Sequence, residues 1–88
     1  MTTKSQAREI GYACHGGMSS PLYAFASTGK VQSERHRADT LAEVNRCQTW
    51  LAGYLASHPG RRTGFNSDAP RLAKLAAYLQ AAPVEPVR

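Results

Sequence analysis

The chain has 88 residues, a length that supports one hydrophobic core and excludes a second independent one. Eleven Lys and Arg against six Asp and Glu give a formal charge of +5 and a pI near 9.7, a balance that suits an acidic or polyanionic partner. No apolar run approaches the roughly 18 residues needed to cross a bilayer, and two cysteines, Cys14 and Cys47, are too few for a disulfide framework.

From the N-terminus, residues 1–8 carry no periodicity and read as a flexible tail without the apolar stretch of a leader peptide. Ile10 to Cys14 is short and semi-apolar, and reads as an extended segment. It ends at His15, Gly16 and Gly17, where paired glycines mark a turn. The next signal is a helix over 21–28: Ser20 is placed to cap it, and Pro21 sits at the first helical position, where a missing amide costs nothing. Leu22, Phe25 and Ala26 form its apolar face, and Gly29 stands where a left-handed C-cap is needed.

Two starts compete for the second helix. Thr40 with Glu43 has capping-box spacing, while Ser33 as the cap lets Arg35 and Asp39 form a helical ion pair. Ser33 is preferred. The helix then runs over 34–57 with Leu41, Val44, Cys47 or Gln48, Leu51 and Leu55 as its stripe, until Pro59 and Gly60 stop it. Arg61 to Asn66 reads as a loop anchored by Phe65. Ser67 or Asp68 then caps a third helix over about 69–82, with Leu72, Leu75, Ala76 and Leu79 inward and Pro83 as the stop.

The expected fold is therefore all-α: a three-helix domain over residues 9–82, in which the two long helices pair antiparallel. Residues 83–88 are left as a flexible C-terminal tail. Large aliphatic residues are few, so the core is expected to lean on Phe25, Phe65, Trp50, Tyr12, Tyr23, Tyr54 and Tyr78. Gly53 beside Ala52 and Ala56 is expected to let a neighbouring helix come close. A chain this short buries only about 60–65% of its unfolded surface, which keeps homodimerisation open.

Four constellations are weighed for chemistry. The turn His15, Gly16, Gly17, Ser19, Ser20 feeds a helix N-terminus, where amides, the helix dipole and two hydroxyls suit an anion or nucleotide, although its spacing matches no phosphate-loop motif. Cys14 beside His15 does not make a nucleophile with its base, because adjacent side chains of an extended segment point to opposite faces. Cys14, His15, His36, Cys47 and His58 form no close ligand pair, so no metal site is expected. The basic residues Arg35, Arg37, Arg46, Arg61, Arg62 and Arg71 are the candidate contacts for a protein or nucleic-acid partner. They do not make one stripe, since Arg35 and Arg37 lie at the opposite end of the second helix from Arg61 and Arg62.

No catalytic residue and no cofactor are implied. The expected role is that of a small cytoplasmic, non-enzymatic protein that occupies the surface of a larger complex, such as an inhibitor encoded by a phage or mobile element. A basic nucleic-acid-binding protein is the alternative, and an anion-binding module a second one. Both cysteines are expected as thiols in that reducing compartment.

Overall fold

In a computed structural model of the protein, the described residues are 2–58 and 65–86, with the backbone alone for 65–68. Four helices follow one another among them: α1 (Lys4–Cys14), α2 (Pro21–Thr28), α3 (Glu34–Ser57) and α4 (Phe65–Ala81). The described residues contain no strand, and the fold is all-α.

The expected extended segment at the N-terminus is a helix. Thr3 caps α1 in a full capping box: its hydroxyl accepts the Gln6 amide at 3.2 Å, and the Gln6 side chain accepts the Thr3 amide at 2.9 Å. Ala7, Ile10, Gly11 and Cys14 then recur at helical spacing, and the first three are buried. Small side chains and a mid-helix glycine hid this stripe from a reading based on large apolar residues. The result is four helices where three were expected, with residues 4–8 inside one of them.

Gly11 has a definite reason to be there. A Cβ on it would lie 3.2 Å from the Ala26 Cβ and 3.4 Å from Leu22 Cδ1, so at the present spacing of α1 and α2 that atom would be crowded. Gly53 was expected to have this role, yet a Cβ there would meet nothing within 4 Å.

The second and third segments fold over the expected ranges. Ser20 caps α2 by accepting the Tyr23 amide at 3.1 Å, and Gly29 closes it with φ 73°. Ser33, rather than Thr40, caps α3 through the His36 amide at 2.9 Å. Thr40 lies inside the helix, where its hydroxyl donates to the His36 carbonyl. Helix α4 begins at Phe65, four residues earlier than expected, and contains Pro70. Pro70 is its sixth residue, past the first turn, so its missing amide removes one bond of the ladder and its ring crowds the carbonyl four residues back. The connection between α3 and α4, with Arg61 and Arg62, lies outside the described residues, as does the side chain of Phe65.

Helix α1 packs on α2 and α4, and α3 packs on α4 and α2. Ala7, Ile10, Leu22, Phe25, Val31, Val44, Leu51, Leu72, Leu75 and Leu79 form the buried cluster, with Tyr78 packed against it. Phe25 is the one aromatic fully buried among the described residues. Trp50 and Tyr12 are exposed, contrary to the expectation that aromatics would fill the centre. Aliphatic residues interleaved with alanine fill it instead.

The segment after α4 also departs from expectation. The Glu85 amide donates to the Val31 carbonyl at 2.7 Å, Val84 pairs with Val31 in an isolated parallel bridge, and Lys4 lies 3.7 Å from Glu85. Both ends of the chain are thus held together over the loop between α2 and α3.

Candidate functional site

At the glycine turn, expected as a seat for an external anion, the Gly16 amide faces a carboxylate of the chain itself. Glu43 projects from α3 with 5% of its surface exposed. One carboxylate oxygen accepts the Gly16 amide at 2.8 Å, and the other accepts the Leu22 amide at 3.1 Å. Leu22 is the second residue of α2, so this carboxylate sits at the positive end of that helix dipole. Burying a charge is costly unless it is hydrogen-bonded, and two amides plus the dipole meet that requirement. Ser20 takes the Tyr23 amide, and His15 Nδ1 accepts the Gly17 amide at 3.1 Å. Gly17 has φ 151°, a conformation open to glycine. Ser19 is exposed. No signal near Glu43 betrays this role, because its partners are 27 and 21 residues away in sequence.

Beside this clasp, Cys14, Gly16, Ser20, Pro21, Glu43, Arg46 and Cys47 line a shallow groove. The Cys47 thiol donates to the Cys14 carbonyl at 3.4 Å. Burial, and next the Glu43 charge, push the Cys47 thiol up from its ordinary value, so at neutral pH it holds its proton and is a weak nucleophile. Among the described residues, no three His, Cys, Asp or Glu side chains are grouped to hold a metal ion. Nor is any described helix long and apolar enough to cross a membrane.

The basic residues divide by environment. Arg37 is drawn inward: its guanidinium reaches the Leu79 carbonyl and the Gln80 carbonyl, the latter at 3.1 Å, and pairs with Glu34 at 3.0 and 3.2 Å. It cross-links the start of α3 to the end of α4. The hydrogen bond from Arg37 holds the Glu34 carboxyl below the usual carboxylate range. Arg35, by contrast, is 92% exposed in its side chain and lies 3.9 Å from Asp39. Arg71 and Lys74 are exposed on α4 and line a cavity with Gln6, Glu9 and Ile10 of α1. His36 is also structural. Its Nδ1 accepts the Gln32 amide at 3.0 Å, which leaves Nε2 to donate to the Pro21 carbonyl at 2.9 Å.

A different surface emerges on the C-terminal half of α3. Trp50, Tyr54 and His58 recur every four residues and form a column of rings. Trp50 and Tyr54 are 5.4 Å apart at 25°, and Tyr54 and His58 are 4.3 Å apart at 21°. The His58 Nδ1 lies 2.9 Å from the Tyr54 carbonyl, which fixes the ring against the helix end. Trp50 is 58% exposed, Tyr54 half-buried and His58 exposed. Exposed Arg46 stands one turn before Trp50. The sequence reading assigns Trp50 and Tyr54 to the core, and the 58% exposure of Trp50 corrects it. The spacing of four was visible in the sequence, but their exposure was not.

Comparison with protein-family models, with curated proteins and with solved structures gives no match.

Proposed function

We propose that this chain is a small non-enzymatic binding protein that docks on a larger macromolecular assembly through the outer side of α3, from Arg46 to His58. The observation that carries this reading is the exposure of Trp50, at 58%, in a chain with few large apolar residues to spare. Large rings and arginine are the side chains that concentrate binding energy at interfaces. The ring column supports the reading further, because stacking already fixes Tyr54 and His58 and little rotamer freedom is lost on docking. Occupying such a surface in the cytoplasm, as an inhibitor carried by a phage or mobile element would, is the role that agrees with the small size and basic charge.

The test is to purify the protein from its native host after cross-linking, with Trp50→Ala in parallel. The partner recovered with the natural chain is expected to be lost with Trp50→Ala, while circular dichroism stays unchanged. Equal recovery with both chains would remove α3 as the docking surface.

A further inference from the structure

We infer that the solvent face of α3 pairs with the same face of a second copy of this chain, the two helices antiparallel about a two-fold axis beside Ala42. Three observations converge on this occupant.

The first is a charge pattern that complements its own reversal. Arg35, Asp39, Arg46 and Trp50 follow one another at spacings of four, seven and four residues, and with Ala42 they occupy a sector of about 80° on one helix face. Because the spacing is symmetric, turning the helix about Ala42 sets position 39 level with position 46, and position 35 level with position 50. Asp39 of each copy then faces Arg46 of the other, so every dimer gains two such pairs. A parallel alignment in register would instead set Arg46 against Arg46, a juxtaposition of like charges. A foreign surface has no reason to match a pattern that is symmetric in this way.

The second is that these groups are available. The side chains of Arg35 and Asp39 are 92% and 56% exposed, their mutual contact is a solvated one at 3.9 Å, and Arg46 is exposed and makes no ion pair among the described residues. Asp39 therefore keeps capacity for a second cation, and Arg46 is one that needs an acid.

The third is shape. Ala38, Ala42, Asn45 and Thr49 lie exposed beside the charged row, and all are short. Two such faces can approach to the lower end of the usual interaxial range of about 8–10 Å, which brings the flanking Asp39 and Arg46 within reach. The aliphatic stem of Arg35 then covers part of the 58% of Trp50 that is exposed on the second copy.

Each copy carries a formal charge of +5, which opposes association. At 0.15 M salt, however, the screening length of about 8 Å confines that repulsion to neighbouring groups, whereas the facing pairs are in contact. One helix pair is a small interface, so the dimer is a weak one, with Kd on the order of 10–100 µM. The pairing shares Arg46 and Trp50 with the docking surface but does not depend on it, so a partner and a second copy compete for these two residues.

The experiment is sedimentation equilibrium of the purified full chain from about 10 µM to about 1 mM, with a reductant present so that Cys14 and Cys47 cannot link copies. The natural chain is expected to dimerise reversibly. Asp39→Arg or Arg46→Asp alone should weaken association by about tenfold or more, because like charges then face each other twice, and the double variant should restore it. An equimolar mixture of the two single variants should form a heterodimer, since positions 39 and 46 are then both basic in one chain and both acidic in the other. Circular dichroism checks that every variant is folded, as expected for substitutions at exposed positions.

A natural chain that stays monomeric to about 1 mM would overturn the inference, as would a dimer that survives either reversal or a mixture that yields no heterodimer. If the chain is monomeric while a host partner is still lost with Trp50→Ala, only the pairing fails. If the pairing holds while the partner persists with Trp50→Ala, only the docking surface fails.

Discussion

Arg35 and Arg37 are two residues apart at the same helix end, and the sequence offers no way to rank them. Their side chains are 92% and 16% exposed, and only Arg37 reaches carbonyls of another helix. Arg37→Ala removes charged hydrogen bonds and uncaps the Leu79 and Gln80 carbonyls, a loss of about 1.5–3 kcal/mol. Arg35→Ala removes a solvated pair and should stay within about 0.5 kcal/mol. Thermal denaturation distinguishes them, since about 1 kcal/mol moves Tm by roughly 4–8 °C in a domain of this size. Equal melting temperatures would contradict the cross-link. The same limit explains why the Glu43 contact is not legible: local chemistry makes the turn His15 to Ser20 a candidate seat for an external anion, whereas Glu43 comes from α3, and no local pattern encodes a contact over 27 residues.

At the scale of the elements, legibility followed the strength of local signals. Helix α2 has a serine cap, a proline at its first position and a left-handed glycine, and α3 has a cap followed by an ion pair at spacing four; both fold as the sequence predicts. Helix α1 had a capping box at Thr3 and Gln6 but a face of Ala7, Ile10, Gly11 and Cys14, in which small residues look like an absence of pattern. Gly11 and Gly53, the two helical glycines among the described residues, separate propensity from packing. Gly53→Ala adds a methyl group in open space and should stabilise the protein by about 1 kcal/mol, because alanine is the better helix former. Gly11→Ala has the same propensity gain, but its Cβ would press on the Ala26 Cβ at 3.2 Å, an atom that cannot rotate away. Gly11→Ala should therefore lower Tm while Gly53→Ala raises it, and a rise in both would show that α1 and α2 separate without cost.

For the molecule as a whole, the fold class was legible from composition and periodicity, and the pairing of the two long helices around Leu51, Leu72, Leu75 and Leu79 agrees with the expected stripe. What escaped was how the ends are used. The proline-containing C-terminus carries no periodic signal, because its anchoring is one backbone bond to Val31 and one ion pair to Lys4, neither of which leaves a repeat in the sequence. Removing residues 83–88 should cost about 1 kcal/mol, the worth of one backbone hydrogen bond, and lower Tm accordingly. An unchanged melting curve for the shortened chain would mean that the closure adds nothing.

The clasp made by Glu43 also constrains the order in which the chain can assemble. Its carboxylate joins amides at positions 16 and 22 to a helix that begins at residue 34, so the turn after α1 cannot settle before α3 has docked. Proton exchange at the Gly16 and Leu22 amides should therefore track global unfolding rather than local fraying, despite the exposed location of the turn at Gly16. A surface loop in this protein would then be among the last parts to open.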